Sequence, residues 1–362
     1  MRDRLPLYLG IFGVMALSNA IVPVLPAFGE GPALQSLVYS AYFFGAFATV
    51  IPAEFLSDRL GRNPVLRAGL IVTVASGLLI LALTHPVLVL AGRALEGVGA
   101  GLFVAAGMSW VNTRPDHERT SGDFMGSLNL GLVIGLLASG WIVEASGSER
   151  AGILLFTLLS VLPVVLVFMA RESPARPLPP GDGKGVLAGH IPLFLSAVVL
   201  VGVTGAVTAL YPEFTGESPS ALGAAIATMY LATVAGVLVA SRLPLPPVPT
   251  IRAAAILMAG SVLLLPFSPA GFALIGAVAG FVMIAQMAYL AGTGLPQGAA
   301  MGAYNAASYA GMTLLPSLFG IIAERAGFLP AFAGIALLAL SMAAVIGRCG
   351  CRDLPGGTRP ES

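Results

Sequence analysis

The sequence predicts an all-α integral membrane protein of twelve transmembrane helices, built as two six-helix bundles related by a parallel repeat, with the N and C termini cytoplasmic. Three observations carry this expectation. Hydrophobic residues make up 57% of the 362 positions and charged residues only 10%, with a mean hydropathy of +0.92, whereas soluble domains hold about 45–50% apolar residues. Apolar runs of the length needed to cross about 30 Å of hydrocarbon recur twelve times. The second half of the chain also repeats particular residues of the first.

In order, the runs cover residues 5–28, 33–55, 65–83, 87–111, 122–145 and 153–170, then 191–214, 221–240, 251–267, 272–290, 298–323 and 329–346. With about thirty residues for each helix and its loop, no length is left for a soluble domain. The expected division is a first bundle over 1–170, a linker over 171–188, a second bundle over 189–348 and a tail over 349–362. The linker is rich in Pro and Gly and lacks hydrophobic periodicity, which reads as a flexible connection. If both termini are cytoplasmic, fifteen of the eighteen Lys and Arg residues fall inside, Arg150 and Arg325 fall outside, and Arg93 lies within a span. That asymmetry sets the orientation.

The opening Met1-Arg2-Asp3-Arg4 before an apolar run has a signal-peptide charge layout, but with many spans following, an uncleaved first helix is expected. No targeting segment is read, which points to the cytoplasmic membrane of a prokaryote. A net charge of +1 leaves no basic face for nucleic acid. Cys349 and Cys351 supply two thiols with no neighbouring His, too few ligands for zinc, so neither metal nor cofactor is expected.

The repeat is specific. Gly122, Met125, Gly126, Asn129 and Gly135 recur 176 positions later as Gly298, Met301, Gly302, Asn305 and Gly311. Gly140, Glu144 and Gly147 recur 180 positions later as Gly320, Glu324 and Gly327, the extra four residues being about one helical turn. Tyr211-Pro212-Glu213-Phe214 lines up with Leu25-Pro26-Ala27-Phe28. Two halves in one orientation imply an axis along the membrane normal.

Between the second and third runs lies the charged stretch Glu54-Phe-Leu-Ser-Asp58-Arg59-Leu-Gly61-Arg62-Asn-Pro-Val-Leu-Arg67. It cannot lie in lipid and is expected as a tight turn at the membrane surface. D-R-x-G-R followed by N-P-V-L resembles the loop between the second and third helices of the major facilitator superfamily of secondary transporters. The resemblance implies that Asp58, Arg59, Gly61 and Arg62 form a conformational latch between the cytoplasmic ends of helices. The family opens this motif with Gly where Glu54 stands. A solvated positive-inside loop is the plainer alternative.

The fourth run contains Arg93-Ala-Leu-Glu96-Gly97-Val-Gly99. A charge at mid-bilayer costs about 2.5–3.5 kcal/mol on insertion scales, so both must face the bundle interior. Three apart on a helix, they can pair. The stretch is similar to the superfamily signature R-x-x-Q-G-x-G, whose Arg is associated with proton coupling, with Glu96 in place of Gln. Glu96 and Arg93 are therefore the proton-coupling candidates, with a permanent structural pair as the alternative. In the fifth run Gly131, Gly135, Ser139 and Gly140 form a small-residue stripe suited to close helix packing. It is similar to the glycine-rich fifth-helix motif of the family's antiporters, although Leu136 occupies the Pro position.

Polar candidates within the spans include Tyr39, Tyr42, Tyr230, Tyr304, Ser308 and Tyr309. By resemblance, helices one, four, seven and ten line the central cavity, which makes Asn19, Arg93, Thr208 and Gln286 substrate-binding candidates. Asn129 and Asn305 join them because they occupy matching repeat positions. No phosphate-binding G-x-x-x-x-G-K-[ST] occurs, and no enzyme is expected. The expected function is proton-coupled export of a small drug-like or metabolite substrate by a monomeric carrier working by alternating access. The alternatives are an uptake carrier for a small organic anion or sugar, and a non-transporting membrane sensor.

Overall fold

The computed structural model describes residues 4–348 apart from 113, 115, 170–189, 294 and 296. The linker expected over 171–188 and the tail over 349–362 lie outside the described residues, as does the Asp58 side chain. The described residues are helical between short turns and contain no strand.

The first half comprises α1 (Leu5–Ala20), α2 (Gly31–Leu60), α3 (Arg62–Ala82), α4 (Pro86–Asn112), α5 (His117–Ser146) and α6 (Ala151–Met169). The second comprises α7 (Ile191–Thr215), α8 (Pro219–Ala240), α9 (Pro247–Leu264), α10 (Ala270–Ala291), α11 (Gln297–Ala326) and α12 (Phe328–Val345). Eleven helices are long and apolar enough to span a membrane alone, and α1 with the 3₁₀ segment Val22–Phe28, bent from it by 46°, makes the twelfth. Pro23 and Pro26 lie in that segment, where each removes a backbone donor and prevents a regular α-helix.

The charged stretch expected as a turn is almost wholly helical. α2 runs 30 residues to Leu60, α3 starts at Arg62, and the break between them is Gly61 alone, at φ 87°. Positive φ at this reversal is open to glycine and strained for other residues, while helix satisfies the backbone of the polar residues beyond the hydrocarbon.

Burial is inverted relative to a soluble protein. Phe44, Phe55, Trp141, Phe168 and Phe267 are exposed on the outside, while Arg93, Glu96, Gln286, Thr208 and Ser139 are buried within. Lipid solvates the apolar exterior, so polar groups gather where helices can satisfy them.

Close glycine contacts hold each half together. A Cβ at Gly97 would collide with the Tyr42 carbonyl oxygen, and one at Gly45 with that of Ala94, so α2 and α4 touch backbone to backbone. Gly276 lies likewise on the Met229 carbonyl, joining α8 to α10. Gly135 abuts the Ala16 carbonyl between α5 and α1, and its repeat partner Gly311 abuts the Val198 carbonyl between α11 and α7. The contacts α1–α5, α2–α4 and α3–α6 thus recur as α7–α11, α8–α10 and α9–α12. The halves meet through α2–α11 and α5–α8, two pairs that exchange under the same repeat, as a twofold axis between the bundles requires.

Candidate functional site

α4 carries Arg93 and Glu96 into the first bundle, where each side chain is 1% exposed. Arg93 Nη1 donates to Glu96 Oε2 at 2.5 Å and Nη2 to the Ser18 carbonyl of α1 at 3.2 Å. The Tyr42 ring lies 5.0 Å from the guanidinium. Helical i,i+3 spacing makes the pair neighbours, and mutual neutralisation is what allows both charges to remain inside. Arg93 Nε and Glu96 Oε1 are buried without a hydrogen-bond partner. The pair therefore keeps one donor and one acceptor uncommitted, a chemistry able to take up a proton or a polar substrate group.

Around this pair, besides Tyr42, the structure gathers four of the sequence candidates. Thr208, on α7, donates to Thr204 O at 2.8 Å, and Asn19, on α1, donates to Leu132 O of α5 at 3.2 Å. Tyr39 stands beside Arg93, Thr208 and Tyr230, and Asn19 stands beside Tyr230. Although Tyr230 and Thr208 are near, the fully buried Tyr39 hydroxyl makes no well-formed hydrogen bond. Side chains of α1, α2, α4, α7 and α8, from both halves, converge here.

Gln286 belongs to a different network. Its Nε2 donates to Ser196 Oγ and its Oε1 accepts from Tyr304 OH, both at 2.9 Å, wholly within the second half. Asn129 is half-buried and donates to Met125 O of its own helix at 2.8 Å; Asn305 is half-buried on α11.

At the face bearing the termini, Arg62 is buried and its Nε donates to Ser109 Oγ of α4 at 2.9 Å, while Arg59 is exposed. Glu54 projects towards the other half, with Oε2 3.6 Å from the point where a Cβ on Gly302 of α11 would stand. Nearby Arg4 pairs with Asp116 at 2.7 Å, tying the start of α1 to that of α5. The Arg4 guanidinium, through this hydrogen bond, holds the Asp116 carboxyl below the usual carboxylate range.

At the opposite face the halves are joined by contacts absent from the sequence reading. Gln35 Nε2 donates to Glu213 Oε2 of α7 at 2.6 Å and to Gly29 O at 3.1 Å. The Ala33 N–H in the first turn of α2 donates to Glu324 Oε2 of α11 at 3.2 Å. The N-cap of α2, Glu30, makes no side-chain cap, so Glu324 caps this helix from the other bundle. α8, its repeat counterpart, is capped locally by Ser218, which accepts from Ala221 N. Gly140 of α5 abuts Pro219 O of α8, and Gly320 of α11 abuts Ser36 of α2, so both inter-bundle seams are closed at this face. A signal for Gln35 and Glu213 existed, each being a polar residue near the end of an apolar run, but nothing in the sequence placed them together. Among the described residues, no three His, Cys, Asp or Glu side chains gather as a metal site.

Comparison with known proteins gives this architecture its family. The profile of the Major Facilitator Superfamily matches residues 7–217. An uncharacterized MFS-type transporter of Mycobacterium tuberculosis is 28% identical over 346 residues, covering 91% of this chain and 48% of the relative. The chain spans 29 to 48% of the length of the first curated relatives it matches. The nucleoside transporter NupG superposes with a TM-score of 0.75 at 14% identity, covering 95% of this chain and 98% of that one. A bacterial homologue of the human lysosomal transporter Spinster does so with 0.77 at 14%, covering 99% and 98%. A twelve-span helical chain with an internal repeat, matched by that profile over more than half its length, belongs to the major facilitator superfamily of membrane transporters.

Proposed function

We propose that this chain is a proton-coupled secondary transporter that exports a small drug-like or metabolite molecule by alternating access. In this reading the bundles 1–170 and 189–348 rock about the central site, joined by the linker 171–188, in the cytoplasmic membrane with both termini and the tail 349–362 inside. The carrier acts as a monomer. The carrying observation is the buried Arg93–Glu96 pair with Glu96 Oε1 and Arg93 Nε uncommitted. Glu96 takes up a proton at its free oxygen, its attraction for Arg93 weakens, and the guanidinium is released towards Ser18 and the Tyr42 ring. Asn19 and Thr208 contact the substrate, with Asn129, Gln286 and Asn305 behind them. Asp58, Arg59, Gly61 and Arg62 form the cytoplasmic latch, with Arg62 held on α4 through Ser109.

A second reading is uptake of a small organic anion or sugar, favoured by the unpartnered Arg93 Nε, a donor able to grip a carboxylate. Internal pH in proteoliposomes separates the two readings while lipophilic cations, neutral drugs, organic acids and sugars are added to the native protein and to Glu96→Gln. Proton movement driven by cations or neutral drugs and abolished in Glu96→Gln supports export. Flux confined to acids or sugars supports uptake. A compound that crosses with no pH change in either protein rejects the coupling role of Glu96, and a protein that moves nothing acts as a sensor.

A further inference from the structure

We propose that the seam between α2 and α11 is a clamp for one flat, uncharged ring, so that the substrate is a neutral aromatic or heteroaromatic molecule with a hydrogen-bonding edge. This deepens the transport reading above and rests on it for the movement of the ligand, though not for its binding. Phe43 of α2 and Tyr309 of α11 meet across the two halves, with ring centroids 6.4 Å apart and planes inclined by 35°. Stacked carbon surfaces sit about 3.5–4.0 Å apart, so a ring inserted between two others needs about 7 Å. A ring therefore enters between these two only when α2 and α11 part at this seam.

The clamp has a fixed jaw. Tyr39 and Tyr42 are buried and hold Phe43 at centroid distances of 5.2 and 5.0 Å, the latter edge to face. Arg93 in turn lies over the Tyr42 ring, which joins the clamp to the ion pair. Phe43 and Tyr309 are only half-buried, so the two rings retain accessible surface that their braces lack. Rings prefer offset-stacked or edge-on partners, and such pairs are worth about 0.5–1.5 kcal/mol beyond area burial.

The polar edge is supplied by buried hydroxyls that make no well-formed hydrogen bond. The Tyr39 hydroxyl, Ser40 Oγ on α2 and Ser308 Oγ on α11 are buried and unpartnered. Ser40 precedes Phe43 by three residues and Tyr39 precedes it by four, the spacings that bring side chains together on one helix face. Buried polar atoms in folded proteins almost always have a partner, and a ring carrying carbonyl or amide groups provides one. Neutrality follows from charge balance. While Glu96 is ionised the buried pair Arg93 and Glu96 already cancels, and a net charge added by a ligand bound in that state would be unsolvated.

The test uses the purified full-length chain and two neutral amides that differ in flatness, benzamide and cyclohexanecarboxamide, with benzoate as a charged control. Binding is measured by calorimetry on the native protein, Phe43→Leu, Tyr309→Leu and, as a lipid-side control, Trp141→Leu. The expected result is that benzamide binds in preference to the other two, roughly 2- to 10-fold more weakly in each clamp variant and unchanged in Trp141→Leu. Equal binding of the saturated amide, tighter binding of benzoate, no binding of benzamide at millimolar concentration, or clamp variants that bind like native protein would overturn the proposal. Flux in proteoliposomes then separates the two readings. Benzamide that binds through both rings without crossing retains the clamp and rejects transport of that ring, whereas cyclohexanecarboxamide that crosses while benzamide does not retains transport and rejects the clamp.

Discussion

At the scale of single residues, Arg93 and Glu96 show how a membrane interior tolerates charge. Each is 1% exposed, so truncating one strands the other. Removing one member of a buried pair typically costs about 3–5 kcal/mol, whereas replacing both by apolar groups of similar volume is near neutral. Thermal unfolding in detergent should therefore show a large loss for Arg93→Ala and near-native stability for the double variant Arg93→Met, Glu96→Leu. Equal losses in the two would mean that the pair more than offsets its own burial and contributes stability that apolar residues do not replace. The exposed Arg4–Asp116 pair is the contrasting case. Its depressed Asp116 pKa means that the stabilisation is present above the unfolded-state value of about 3.9 and disappears as pH falls through the lower folded value. A melting series should show a small deficit for Asp116→Asn at pH 6 that fades in acid; a deficit unchanged at every pH would assign it to something other than charge.

At the scale of elements, side-chain size at the crossings decides packing. Gly97 has no room for a Cβ against the Tyr42 carbonyl, whereas Gly122, in the same half but near the start of α5, has nothing within 4 Å. Gly97→Ala should cost about 1–3 kcal/mol by overpacking, and Gly122→Ala should be neutral or slightly stabilising through helix propensity; the unfolding midpoints of the two variants give the comparison. The spans were legible because hydropathy is a local property, and α7 begins at Ile191 where the apolar run begins. Helix ends were less so. α2 and α11 extend beyond their apolar runs to 30 residues each, since polar residues continue a helix readily once outside the hydrocarbon. The single-residue break at Gly61 was hidden for the same reason.

At the scale of the molecule, the two seams between bundles are where conformational change must act. At the face away from the termini the halves are held by Gln35–Glu213, from α2 to α7, and by Glu324 of α11 capping α2. These contacts cross between halves and can exist only while that face is shut. Replacing both acids, Glu213→Ala with Glu324→Ala, should therefore shift the population towards opening at this face, since a state is weakened by whatever contacts it alone contains. Alkylation of Thr208→Cys by a membrane-impermeant maleimide added from that side should rise several-fold. Unchanged labelling would mean that the backbone seams Gly140–Pro219 and Gly320–Ser36 suffice to keep it closed.

The sequence by itself determined that the chain crosses a membrane, how many times, that it is built twice, and that Arg93 and Glu96 are placed to pair. Each of these depends on composition, on residues within a turn of one another or on a pattern of residues that the chain itself repeats. Tertiary structure alone decided what meets across the seams. Ala33 and Glu324 are 291 positions apart and Gln35 and Glu213 are 178 apart, and the meeting of Phe43 and Tyr309 depends on how two bundles dock. Side chains so distant carry no periodic signal of their partnership, because it arises from the packing of whole helices rather than from the chemistry of neighbouring residues.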